Sequence, residues 1–487
     1  MAIVVSSEAA ARAVVVSSKD AEREVDIPVK LVIDKEKKRV VFAEADGDFA
    51  DILFSFLTLP MGTIIRLLAQ HSDQSKQLNI GNFNTLCSSV KNLDAKYFVT
   101  DVSKDLLTNT RNLADYECRR LRINIDDTKP AQHFVCQNLD CIVDQDLPSL
   151  STCNIAKCRR CGDYLKTPIN FLDDMRENNS GVFFAQTASF IITDALNVFP
   201  NTMGSTFEIL EMAGVSDFGV LEETTLQFGS HEILELLKCS LFSKTPLSDM
   251  VFGEKDIVKD IVLIPSFQCR ISTEHIYGFI NMTVNVLVQK STKKILLAQT
   301  AEDFVEFLFG FLAMPLGRII SFLGESFSSD GTVENLHNSL PNLDVGRYFK
   351  FDELRQILLY PEVDYGSYHS LYFRKEWSRD FYYTSRRESS YEEDTFHLTR
   401  EGGPVMKIEH PKEYLRGPKM FLVTDDLIVT PFSSMSCITY LHSLKVSPGD
   451  VEEHQINIGP EEALNLLRAC MISTSVLNNG LGSLQVF

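Results

Sequence analysis

The chain has 487 residues, with 47 basic against 66 acidic side chains and a formal charge of −19. A composition of 44% hydrophobic and 23% charged residues is that of a globular protein, at a length suited to about two to four domains, and it excludes general disorder. A pI near 5.0 excludes a general nucleic-acid binder or a polybasic membrane-surface protein, because no basic surplus exists to displace counterions or meet anionic lipid.

Residues 1–25 mix the apolar Val14–Val16 with Glu8, Arg12, Lys19, Asp20 and Glu22. Secretory signals have a basic start and a longer apolar stretch, and transit peptides avoid acids, so the segment reads as a flexible tail. The first domain is expected over 26–250. Val29–Ile33 and Arg39–Ala43 are β-branched runs around the charged Lys35–Lys38, which predicts a hairpin. Asp48 then stands where a helix begins and can cap free amides or meet the helix dipole. Phe49, Leu53, Phe54, Phe56 and Leu57 line most of that helix, which predicts near-complete burial. Pro60 ends it, and a second short helix can start there with Ile64, Ile65 and Leu68. The run Ile52–Leu59 falls short of the ~18–20 apolar residues of a membrane span, so no transmembrane segment is expected.

Eleven cysteines in so long a chain are not a secreted disulfide framework. Five of them (Cys136, Cys141, Cys153, Cys158, Cys161) fall within 26 residues; the others read as small buried hydrophobes. Cys136-x4-Cys141 and Cys158-x2-Cys161-Gly162 are two short-spaced pairs, each able to form one knuckle of a tetrathiolate zinc cage. Gly162 lets the backbone turn towards sulfur, and Lys157, Arg159 and Arg160 favour thiolates. Structural zinc is the reading, with a redox dithiol or unligated thiols as alternatives, and with Cys153 and His133 as spare ligands. Four protein ligands leave no open coordination position, so such a site staples a fold rather than catalyses. The insertion, about 133–165, is read as zinc-ribbon-like. Downstream, Phe183–Thr193 is a candidate hairpin, and Val220–Leu241 a strand ending at Gly229 followed by a helix with Ser230 as its N-cap.

A short charged linker around 252–260 implies that the second half of the chain packs against the first. Val284–Leu323 repeats Val29–Leu68 at an offset of 255 without a gap, with 15 of 40 positions identical, Asp303 and Pro315 standing for Asp48 and Pro60. Asp450–Met471 matches Val220–Leu241 at an offset of 230, with Gly459 and Pro460 at the helix start. Asn342-Leu343-Asp344 and Tyr348-Phe349 echo Asn92-Leu93-Asp94 and Tyr97-Phe98, and Phe421–Thr430 echoes the earlier hairpin. A second related domain is therefore expected over 262–487. It has no cysteine between Cys269 and Cys437, so the metal site has no counterpart there. In its place lie residues 365–401, with Trp377, Phe381-Tyr382-Tyr383, Glu392-Glu393-Asp394 and the modifiable Ser389 and Ser390. They read as a long hairpin or surface loop, with an aromatic recognition surface as the alternative. Asp425-Asp426 lies between two strand-like runs and reads as a turn. No nucleotide-loop, nucleophile-elbow or H-E-x-x-H signature occurs, and His231-Glu232 lacks a second histidine at the required spacing.

The segment from Val29, its second copy from Val284 and the block Lys412–Ser434 resemble the plant-specific domain-of-unknown-function family 674. The cysteine pairs resemble a feature of the first repeat in that family, where the second pair is usually C-P-x-C-G; here Cys158-Arg159-Arg160-Cys161-Gly162 lacks the proline. The resemblance covers nearly all of the chain beyond residue 25. It implies a land-plant protein and supplies no activity or catalytic residues.

The expectation is an α+β protein of two related tandem domains of β-hairpins and apolar helices, the first with the zinc-ribbon-like insertion. Its function is read as non-enzymatic binding or scaffolding, with a structural zinc and an unidentified protein or small-molecule partner at the groove between the halves or the Trp377 loop. The alternative is an enzyme acting on a small plant metabolite in an apolar pocket; the absence of catalytic motifs leans against it. No direct nucleic-acid binding is expected, and the expected compartment is the cytoplasm, with nucleus and plastid as alternatives.

Overall fold

The structure, a computed structural model, describes residues 26–71, 79–129, 132–138, 140–143, 149–169, 181–253, 279, 281–324, 332–363, 383–389, 394–399, 405–408, 411 and 413–482. The tail 1–25, most of the linker at 252–260, Cys269, Trp377, Phe381-Tyr382, Ser390 and Glu392-Glu393 lie outside the described residues.

In chain order the strands are β1 (Ile27–Asp34), β2 (Arg39–Asp46), β3 (His133–Val135), β4 (Ser149–Ser151), β5 (Thr167–Ile169), β6 (Ser189–Thr193), β7 (Val198–Pro200) and β8 (Leu221–Phe228). They continue with β9 (Met282–Gln289), β10 (Lys294–Thr300), β11 (Tyr383–Ser389), β12 (Asp394–Thr399), β13 (Val405–Ile408), β14 (Phe421–Thr424), β15 (Val429–Pro431) and β16 (Val451–Ile458). Three sheets result: β7-β6-β2-β1-β8, β15-β14-β10-β9-β16, and β12-β11-β13-β4-β3-β5. With helices between and around these largely antiparallel sheets, the fold is mixed α+β.

The first two sheets share strand order, and their local chemistry matches. Ile27, Val29 and Leu31 of β1, like Met282, Val284, Val286 and Val288 of β9, turn inward, and alternation along the strand sends their neighbours outward. Lys38 (φ 50°) and Lys293 (φ 57°) turn the two long hairpins through the left-handed region. Leu196 (φ 58°) and Leu427 (φ 60°) do the same for β6–β7 and β14–β15. That conformation costs a non-glycine residue about 1–2 kcal/mol. Both leucines are fully buried, and burial of such a side chain, worth about 1.5–3 kcal/mol, offsets the strain.

The helix Gly47–Ser55 is capped by Asp46, whose carboxylate accepts from the Phe49 amide at 3.0 Å, while Asp48 takes the other expected place, in the first turn at the positive end of the helix dipole, facing Arg122. The reason is that β2 stays extended through Asp46, so the helix begins there. In the second half Asp303 accepts from the Phe304 amide at 2.8 Å, one residue inside a helix whose N-cap is Ala301. Likewise Gly229 and Gly459, not Ser230, occupy the later N-caps, their amides donating to Glu232 and Glu462 at 3.0 and 2.9 Å.

At the prolines the halves meet. Pro60 and Pro315 face each other in an antiparallel bridge, where the Met61 amide donates to Met314 O at 3.0 Å and the Leu316 amide to Leu59 O at 2.9 Å. Gly62 and Gly317 permit this approach, since a Cβ would fall 3.2 Å from Leu312 O at the first and 3.0 Å from Leu57 O at the second. Beyond the crossing, each half sends its next helix to the other half's sheet. Ser89, on the helix Phe83–Asn92, accepts at Oγ from the Val429 amide of β15, and Ser339, on the helix Val333–Ser339, accepts from the Val198 amide of β7, each at 3.0 Å. Asn82 N donates to Cys470 O and Thr332 N to Ser240 O, both at 2.8 Å. Two more bridges cross, Phe98 with Leu415 and Phe184 with Phe349. Among the described residues, one buried apolar cluster runs through both halves.

The tight crossing makes a contrast testable by urea unfolding. Gly317→Val is expected to lower stability by about 1–3 kcal/mol through overpacking. Gly204→Ala, on an exposed helix where a Cβ meets nothing closer than 3.9 Å, is expected to raise it by about 0.5–1 kcal/mol. Equal midpoints for the two variants would contradict the close approach.

Candidate functional site

The cysteine module is built on β3, β4 and β5, and its two knuckles are formed by local hydrogen bonds. In the first, the Cys141 amide donates to Asn138 O at 3.0 Å, the Asp140 amide to Asn138 Oδ1 at 3.0 Å, and the Asn138 amide to Cys136 Sγ at 3.4 Å. In the second, the Cys158 amide donates to Asp163 O at 2.7 Å and the Gly162 amide to Cys158 O at 2.9 Å. Gly162 sits at φ 79°, the left-handed conformation that lets the chain double back beside the thiols. Arg160 ties the knuckles together by donating to Asp140 O at 2.7 Å, and the Arg159 amide fastens the second to Ser149 Oγ at 3.0 Å.

The result brings the sulfurs of Cys136, Cys141, Cys158 and Cys161 within 4.8 Å of one another, so that the four could hold a metal ion. Cys136 and Cys161 are 3.5 Å apart at sulfur, close to the edge of about 3.8 Å that a tetrahedron with Zn–S bonds of about 2.3 Å requires. Cys136, Cys141 and Cys158 are buried and Cys161 is exposed. Burial pushes the Cys136 thiol up to about 12 and the Cys141 thiol up to about 11. At Cys158 burial acts in the same direction, but amide donors from Cys161 and Arg160 and the neighbouring thiols outweigh it and hold the group below the ordinary thiol value. Such a mixture of one stabilised thiolate and reluctant neighbours is what a bound cation resolves, because its charge favours the deprotonated form of all four. Cys153 is buried beside Ser151 Oγ at 3.4 Å and His133 is buried on β3; neither belongs to the four-sulfur group.

The sequence carried no sign of what completes this module. Strand β13 from the far end of the chain lies parallel to β4, pairing Lys407 with Ser149 and Ile408 with Leu150, and β11 and β12 form an antiparallel hairpin beyond it. The strands β11 and β12, from the segment read as a long hairpin or surface loop, thus extend the cysteine module's own sheet. Ser389 lies at the end of β11.

The family described as "Protein of unknown function (DUF674)" matches residues 23–477. The chain belongs to this family. No curated protein and no solved structure matches it. No helix among its described residues is long and apolar enough to cross a membrane.

Two buried carboxylates of this DUF674 chain invite comparison with acid–base groups, and the geometry assigns them elsewhere. Asp51 accepts from the amides of Val182, Phe183 (2.8 Å) and Phe184 (2.9 Å), and Glu306 from those of Tyr414 (2.7 Å) and Leu415 (2.6 Å). Burial pushes each carboxyl up to about 7, against these amide donors and, at Asp51, the charge of Lys350. Perturbed groups of this kind mark active sites when they face a cleft; these two are spent on the segments that bridge to the other half through Phe184 and Leu415. A parallel pair of pins holds the hairpin turns: Asp194 accepts from the Ser248 amide at 2.9 Å, and Asp425 from the Asn478 amide at 2.9 Å. Asp425-Asp426 forms the turn between β14 and β15.

A carboxyl whose folded pKa exceeds its unfolded value binds more protons when folded, so it stabilises most at low pH and loses that contribution as pH rises towards the folded value. From ordinary values of 3.8 and 4.5 to about 7, Asp51 and Glu306 should make unfolding free energy fall between pH 4 and pH 7. Asp51→Asn with Glu306→Gln is expected to flatten that slope while costing about 1–3 kcal/mol, because at position 51 both carboxylate oxygens accept amides and one of them becomes an NH₂ donor, while at position 306 a single oxygen serves both amides and is retained. An unchanged slope in urea titrations across this range would contradict the assignment.

Proposed function

We propose that Cys136, Cys141, Cys158 and Cys161 bind one zinc ion as thiolates, and that this centre staples the module of a non-enzymatic binding or scaffold protein. The observation that carries the reading is the four-sulfur cluster on two amide-braced knuckles, with three of the thiols buried. When bound, the ion would neutralise part of the thiolate charge and tie β3 to the β4–β5 connection. Four protein ligands leave it no open position, which favours a structural role. Because β4 also carries β13, the staple would support the far end of the chain as well as its own insertion. We further propose that the protein arose by duplication, with units at 26–250 and 262–487 and the cysteine insertion, zinc-ribbon-like, in the first only. The offset of 255 and the shared strand order of the two five-stranded sheets support this.

Elemental analysis of protein purified without added metal is expected to give one zinc per chain. The double variant Cys158→Ser, Cys161→Ser should lose it and cost about 4 kcal/mol or more, the scale of losing a structural metal. Cys437→Ser, a half-buried residue outside the cluster, should change neither. Near-zero zinc in the native protein, with unchanged stability in the double variant, would overturn the proposal.

A further inference from the structure

The helix Met203–Met212 covers the outer face of the first five-stranded sheet, and the helix Ser434–Ser443 follows β15 as Met203–Met212 follows β7. These helices occupy equivalent places, 231 residues apart, since Thr202 and Ser433 are their N-caps and both accept from the amide three residues on. The first packs Ile209 and Leu210 on its sheet, and both helices carry further apolar side chains exposed to solvent. Met203, Phe207 and Met212, with Phe218 just beyond, are between 56% and 78% exposed. On the second helix Met435 is 67% and Ile438 57% exposed, and no residue of it is buried. Exposed apolar side chains of this size, gathered on one element, mark a contact surface.

The charges at equivalent positions say what that contact is. The first helix carries Glu208 and Glu211 among its exposed apolar residues. The second has no acid: Thr439 and His442 stand at the places of those glutamates, and the exposed Lys445 at the place of Gly214. At these equivalent positions, therefore, the first surface carries two acids and the second a lysine and a histidine. We propose that the Met203–Met212 face of one copy docks on the Ser434–Ser443 face of a second copy, head to tail, through apolar packing centred on Phe207 and Ile438 with Glu208 and Glu211 against His442 and Lys445. The apolar side chains supply the affinity and the charges set which face meets which. The contact joins two different surfaces, so it generates rings or open strings rather than a closed two-fold dimer. It is independent of the metal centre.

Light scattering and sedimentation of the full chain over a concentration series test this. Wild type is expected to form species larger than its 55.0 kDa monomer, growing with concentration. Phe207→Asp and Ile438→Asp, both at exposed positions that leave folding intact, should each be monomeric alone. Mixed in equal amounts they should form a dimer and nothing larger, because each retains the face the other lacks. A wild type that stays monomeric throughout overturns the proposal, whether or not it binds phosphatidylcholine vesicles instead. So does self-association that survives in one single variant, which would mean a like-with-like contact.

Discussion

The crossing at Pro60 and Pro315 is the constraint on which the rest of the structure depends. Proline cannot continue an interior helical ladder, so each long apolar helix stops there, and each stop presents an extended residue whose neighbours can hydrogen-bond across. Two such stops, back to back, satisfy each other through Met61–Met314 and Leu316–Leu59. Glycines two residues on remove the side chains that would hold the backbones apart. After this point the two halves cannot be separated without exposing apolar surface on both, because the helices Phe83–Asn92 and Val333–Ser339 each pack against their own half and against the other half's sheet.

The buried carboxylates follow from that exchange. A segment that leaves its own half brings amides into an apolar interior, where an unpaired donor costs roughly as much as a lost hydrogen bond. Asp51 and Glu306 meet those amides, at positions 255 residues apart. The cysteine module is joined to the same design from outside: its sheet accepts β13, so the two ends of the fold are tied at the junction core and again at the module.

Much of this was legible in the sequence. The hairpins, the apolar helices and the proline breaks rest on short-range patterns, and the four cysteines announce themselves by spacing alone. The exchange was not, because the apolar stripe of Phe83–Asn92 reads the same whether it covers its own sheet or the other. Nor was the pairing of β13 with β4: a four-residue strand has too little alternation to name a partner more than 250 residues away. The choice of Asp46 over Asp48 as the helix cap is of a smaller kind, decided by how far β2 stays extended. The exposed helices were missed for a different reason. Their apolar residues look like core in sequence, and only the exposure of Phe207 and Ile438 in the fold shows that they are not.

The most direct test of this account is to split the chain between residues 253 and 281 and follow each piece by circular dichroism and urea unfolding, alone and together. Interlocked halves predict that neither piece unfolds cooperatively by itself, and that mixing during refolding restores one shared transition close to that of the intact chain. Two pieces that each fold cooperatively in isolation, and gain nothing from the other, would contradict it.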